Sequence, residues 1–241
     1  MRATSIIYRR ELGTYLRSPF GWVIASIVLL IVGLLFQGWA MSGEMLSAYV
    51  LERYFYVASG IPLFGGVLLS FRLLSEERQN HSMVLLNTSP IRDSEIVLGK
   101  FLAALTFLAV MLLISVYMPI LIKVNGKIST AQIVVGYFGM LLLGAATMAI
   151  GLFASALTRQ QLIAAVVAAA MVMVMCFIHM LGSKVDPPLK DVLEQIDLWW
   201  VHYQYGFMKG VLNLKDVIYY VAATYFFLLL SVKTLEAKRW Q

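Results

Sequence analysis

Charge is scarce in this sequence. Of 241 residues only 13% are Asp, Glu, Lys or Arg, and 61% are apolar. Ordinary soluble domains run about 25% charged and about 45–50% apolar. Cysteine is rarer still: Cys176 is alone, so no intrachain disulfide forms. The phosphate-binding pattern G-x-x-x-x-G-K-[ST] is missing, since Gly99-Lys100 and Gly126-Lys127 are followed by Phe101 and Ile128. Neither G-x-G-x-x-G nor H-E-x-x-H occurs. These absences exclude a disulfide scaffold, a disordered chain and a typical cytosolic enzyme. If ATP drives the protein, another chain hydrolyses it.

What is present is oil in six runs, near 20–41, 54–71, 101–122, 132–157, 162–181 and 217–235. A helix needs about 20 apolar residues to cross a bilayer. The expected fold class is therefore an all-α integral membrane protein, a single domain over 1–241 with six transmembrane helices. The first run is too long for the ~7–15-residue core of a cleaved signal. Residues 1–19 are basic and amphipathic: Tyr8, Leu12, Tyr15 and Leu16 share a helical face, with Arg9, Arg10 and Arg17 beside or opposite it. That pattern predicts an interface helix in the headgroup region, broken at Ser18-Pro19. Pro62 and Pro119 predict kinks that neighbouring helices must satisfy. Four residues, Thr158-Arg159-Gln160-Gln161, separate the fourth and fifth runs and force an antiparallel hairpin.

Six spans put both termini on one side. That side holds twelve bases and six acids; the other holds seven of each. Basic loops stay in the cytoplasm, so both termini are expected inside, with 72–100 as a cytoplasmic loop and 182–216 outside. The same rule explains the net charge of +6 without nucleic acid. No charged residue falls in the central portion of any run, which argues against ion-coupled transporters, proton pumps and voltage sensors.

Two clusters invite a binding role. Met171, Met175 and His179 share a face that soft ligands could turn toward Cu(I), but Met173 and Cys176 lie off it. Met is also a flexible gap-filler, so packing is expected and no metal site is assigned. Gly136, Gly139, Gly144, Ala145, Ala149, Gly151 and Ser155 line the fourth span at spacings that let helices approach closely. Packing within the chain is expected there.

Residues 72–100 read RLLSEERQNHSMVLLNTSPIRDSEIVLGK. A helix is expected up to Asn87-Thr88-Ser89-Pro90, with Met83 and Leu86 as an apolar patch and Glu76, Glu77 and Arg78 as a charged shoulder. Asp93 or Ser94 can cap the next helix. Such an amphipathic helix either floats at the surface or docks into a partner's groove.

Ser75-Glu76-Glu77-Arg78, Leu85-Leu86, Thr88-Ser89-Pro90 and Glu95 to Lys100 resemble the coupling segment of ABC exporter permeases of the second type. His81, Val84 and Asn87 depart from it, where Gly, Glu and Leu are usual. Residues 8–22 resemble the family's entry helix and 143–161 its fourth-span end. Residues 202–221 and the tail LEAKRW resemble the gliding-motility-associated permease subgroup, with copper-site-assembly permeases as near relatives.

The resemblance implies a transmembrane permease subunit, of an exporter, in the bacterial inner membrane. It implies a second permease, self or paralogue, and a separate ABC ATPase subunit. ATP and Mg then belong to that partner, and this chain has no catalytic residue or cofactor; membrane lipid is its other partner. Docking falls to Glu76, Glu77, Arg78, Met83 and Leu86, with a hinge at Pro90. The segment 182–216 is expected to be re-entrant or interfacial, with Trp199, Trp200, Tyr203 and Tyr205 as outer gate candidates or as an aromatic belt. The alternative function is a scaffold or mechanotransmission subunit of a motility or metalloenzyme-maturation complex that moves no substrate.

Overall fold

The computed structural model describes residues 2–42, 46–79, 91–182, 184, 186 and 189–239, and among them regular structure is entirely helical. The chain begins with α1 (Arg2–Arg17) and α2 (Pro19–Leu35), which ends in a π-turn over Phe36–Ala40. Ser18 separates them and accepts a hydrogen bond from Phe20 N, with Pro19 opening the new helix. Then come α3 (Ser47–Ala58), a π-turn at Ile61–Gly65, α4 (Gly66–Ser70) and α5 (Arg72–Gln79). The third span is α6 (Asp93–Ser115) plus α7 (Tyr117–Asn125); α8 (Thr130–Leu157) and α9 (Gln161–Gly182) are the fourth and fifth. The segment between the fifth and sixth spans holds α10 (Leu189–Ile196), a π-turn at Trp200–Gln204 and a 3-10 turn at Phe207–Lys209. The last span is α11 (Leu214–Arg239).

Six stretches are long and apolar enough to cross a membrane: Pro19–Ala40, Ser47–Gln79, Asp93–Asn125, Thr130–Leu157, Gln161–Gly182 and Leu214–Lys238. The second and third outrun the apolar runs at both ends. Their helical backbone continues through polar turns whose buried members, such as Leu51, Leu74 and Lys100, pack on neighbours.

The fourth span is the hub, touching α4, α5, α6, α9 and α11. Its small residues serve the chain's own packing, as expected. A methyl group on Gly136 would overlap the Phe55 ring, and one on Gly139 the Phe207 ring. Both proline disruptions also appear. Pro119 has no N–H to offer the Ser115 carbonyl one turn back, and the helix breaks at Val116. The Tyr54 hydroxyl donates to that carbonyl instead, at 3.2 Å. At Pro62 the helix widens into a π-turn, and Thr147 Oγ1 donates to the Pro62 carbonyl at 2.8 Å.

One expectation is corrected. The expected face of α1, Tyr8, Leu12, Tyr15 and Leu16, is met only in part: Tyr15 is buried, Tyr8 and Leu12 are half-buried and Leu16 is 43% exposed. Ile7, left out of it, is buried, and the stripe facing α6 includes Ile7, Glu11 and Tyr15. A charged residue in its middle hides it from a purely apolar count.

Candidate coupling site

At the end of the bundle carrying both termini, three elements meet at one lysine. Lys100, in the second turn of α6, is 2% exposed. Its Nζ lies 3.0 Å from Glu11 Oε1 on α1 and 3.0 Å from Glu77 Oε1 on α5. Arg10 Nη2 closes the ring, 2.7 Å from Glu11 and 2.8 Å from Glu77. A cleft of about 260 Å³ opens beside it, lined also by Arg72 and Glu76, which pair at 3.0 Å. Burial works against the Glu11 carboxylate, but Lys100 and Arg10 outweigh it and hold its pKa below the ordinary value. Burial likewise opposes the Arg10 charge, and Glu11 and Glu77 more than restore it. An ammonium this deep is tolerable only when paired. The interface helix, the start of the coupling segment and the third span are thus tied by charge.

The other side of α5 is tied to the fourth span. Ser155 Oγ accepts from Leu74 N at 3.0 Å and Ser75 N at 2.9 Å, where the break at Phe71 leaves helix-start donors free. The α8 C-terminus has no left-handed cap; Thr158 is extended. Its last carbonyls take cations instead. Arg78 donates to the Ala156 carbonyl, and Lys238 Nζ donates to Ala156 at 3.0 Å and Leu157 at 2.8 Å.

Of the residues expected to dock, Glu76, Glu77 and Arg78 are therefore committed inside the chain. Glu77 turns to Lys100, Arg78 to the fourth span and Glu76 to Arg72. Met83, Leu86 and Pro90 lie outside the described residues. Glu11, Lys100 and Ser155 are the members that the sequence reading did not assign to this site. Gly99 was the available signal, since any side chain there would press on Ile7.

At the opposite end the four gate candidates are placed differently. Tyr203 is fully buried, its hydroxyl 3.4 Å from the Phe55 carbonyl. Trp199 donates to Ser59 Oγ at 3.0 Å, Trp200 stacks on His179, and Tyr205 is 58% exposed under Lys209. They belong to a folded cap. Leu198 N donates to the Met175 carbonyl at 3.0 Å, and Tyr220 donates back to the Leu198 carbonyl at 2.7 Å, wedging the segment between α9 and α11. Asp197 Oδ1 accepts from Trp199 N and Val201 N, while burial pushes its pKa up. His202 Nδ1 is 2.7 Å from Asp216 Oδ1 and the ring stacks on Tyr219 at 3.9 Å. Among the described residues no three His, Cys, Asp or Glu converge to hold a metal.

Six membrane-length spans and a joint at the end carrying the termini define a polytopic membrane protein. The model of the ABC-2 family transporter proteins matches residues 5–234, and the chain belongs to that family. It is a multi-pass membrane permease component of an ABC transporter, a class that works with an ABC ATPase subunit. No curated protein matches the sequence.

Proposed function

We propose that this chain is the permease of an ATP-driven exporter whose separate ATPase docks at the end carrying both termini. That end faces the cytoplasm of a bacterial inner membrane, and a second permease, self or paralogue, completes the pathway. The observation that carries the reading is the Lys100 joint. A segment entering the loop at Gln79 is bound through Glu77 to the third span and the interface helix, and through Ser75 to the fourth. A push on that loop reaches three elements at once.

In this reading Met83 and Leu86 are the docking anchors and Pro90 the hinge, while Glu76, Glu77 and Arg78 hold the near end of the segment to the spans. ATP and Mg sit on the partner. Residues 202–221 and the LEAKRW tail support a place near the gliding-motility-associated subgroup. The test is reconstitution of the purified chain with the neighbouring P-loop ATPase in liposomes. ATP hydrolysis by that ATPase is expected to rise when the permease is present. An unchanged rate, with no complex formed, refutes the proposal.

A further inference from the structure

The end of the fourth span gathers more positive charge than the described residues balance. Arg78 and Lys238 both reach the Ala156 carbonyl, and Arg159 lies just beyond the same helix end. Arg159 repels both of the others, and among the described residues no carboxylate acts on either. A helix C-terminus offers only about half a negative charge, too little for three cations. The nearby acids are spent elsewhere: Glu76 on Arg72, Glu77 on Lys100 and Arg10, Glu236 on Lys233 at 2.7 Å. Residues 80–90 contain no Asp or Glu. Among the described residues no acid is left to balance the cluster, and an anion from outside the chain would supply the charge.

The surroundings say what kind. A cleft of about 490 Å³ is lined by Gln79 and Gln160, the residues next in sequence to Arg78 and Arg159. Gln161 adds a third amide side chain, and Phe71, Leu162 and Ala165 an apolar wall. That wall runs on into Leu162, Ile163 and Val166, exposed along the membrane-crossing flank of α9. An amide-lined mouth next in sequence to two of the cations, continuous with an apolar track along a span, suits a phospholipid. Basic pockets between spans bind anionic headgroups for this reason.

We propose that Arg159, with Arg78 and Lys238 behind it, seats the phosphate of an anionic phospholipid whose acyl chain lies along Leu162 and Val166. Among the described residues Arg159 makes no hydrogen bond or ion pair, which leaves its planar fork for a phosphate. Arg78 and Lys238 keep their carbonyl bonds and add field. The inference does not depend on the ATPase reading.

The experiment is thermal melting of the full-length chain in neutral detergent at low salt. Added lipid is phosphatidylglycerol or phosphatidylcholine, with inorganic phosphate as a third arm. Phosphatidylglycerol is expected to raise the melting temperature, while phosphatidylcholine and inorganic phosphate do not. Arg159→Gln should weaken the apparent lipid affinity about fivefold, the effect of one basic residue at an anionic surface. Arg159→Lys should recover most of it. Arg17→Gln, an exposed base at the same end but off the cluster, should change nothing. Arg159 is exposed, so its variants are expected to melt like the parent without lipid; Lys238→Gln gives a second reading if they do not. An equal response in Arg159→Gln and parent would overturn the site in favour of diffuse attraction. Inorganic phosphate matching the lipid would overturn it in favour of a free-anion site. Loss of ATPase co-purification in Arg159→Gln with the lipid response intact would make the cluster a protein-docking surface instead.

Discussion

Glu77 lies 3.0 Å from the ammonium of Lys100, so the coupling segment leaves the bundle while held to the helix at which it returns. The loop between them begins and ends at a single buried charge pair. Residues in one ion-pair network couple energetically by about 0.5–3 kcal/mol, where distant residues add independently. A double-mutant cycle on Glu77→Gln and Lys100→Gln should give a coupling energy in that range from thermal or denaturant unfolding. The same cycle on Glu77 and Lys233, which pairs with Glu236 instead, should give none.

The joint also has a pH signature. The Glu11 pKa is held below its ordinary value by Lys100 and Arg10 against its burial. A carboxylate depressed in the folded state contributes stability that is whole above its unfolded pKa and disappears as pH falls through the folded one. The melting temperatures of the parent and of Glu11→Gln should therefore differ at neutral pH, parent higher. That gap should close only as pH drops below the ordinary carboxylate range. A gap that persists well below that range would show that Glu11 contributes through packing rather than charge.

Much of the fold was legible because the bilayer enforces it. Apolar length gave the six spans, a four-residue turn gave the hairpin, and the small residues of the fourth span gave its central place. Pro119 marked the break in the third span, since a missing N–H leaves no choice locally. What stayed hidden depends on partners distant in sequence. Lys100 reads as a loop charge, because Glu11 lies far away on a helix whose inward stripe includes that very acid. Arg78 reads as a solvated shoulder, yet the fourth span ends without a glycine cap and its carbonyls need a cation. Trp199, Trp200, Tyr203 and Tyr205 read as one aromatic set, because composition cannot tell a buried Tyr203 from an exposed Tyr205.

The outer cap can be tested through the single cysteine. Cys176 is buried on α9 near Asp197. His202 Nδ1 faces Asp216 and Nε2 faces the Gln195 carbonyl at 3.3 Å. Removing the ring leaves the buried Asp216 carboxylate without this hydrogen-bond partner, a loss of about 1–3 kcal/mol. His202→Leu should therefore loosen the cap and speed maleimide labelling of Cys176 by about tenfold, within what that energy allows. The spans should remain inserted. Labelling at the parent rate would mean that Leu198, Tyr203 and Phe207 hold the cap without the His202–Asp216 contact.

Docking and transmission should be separable at this site. Leu86 is the proposed anchor on the partner, and Lys100 the joint behind it. A charge placed in a docked apolar face must be desolvated without a partner, so Leu86→Asp is expected to abolish co-purification of the ATPase. Subunit abundance should be unchanged, because the six spans do not depend on that residue. Ser47→Asp, at the other end of the second span, should leave ATPase binding intact and so control for added charge. Lys100→Met keeps the apolar stem and removes the charge, leaving Glu11 and Glu77 only Arg10 to share. Docking through Leu86 survives that change, but the loop is no longer held to the third span and the interface helix. The expected result is an ATPase that still co-purifies, yet whose hydrolysis the permease no longer stimulates. The measurement is paired: complex yield on affinity purification, and ATPase rate in liposomes at matched complex. Should Lys100→Met keep full stimulation, the ion-pair joint is a stability element, and force passes through Ser155 and the fourth span instead.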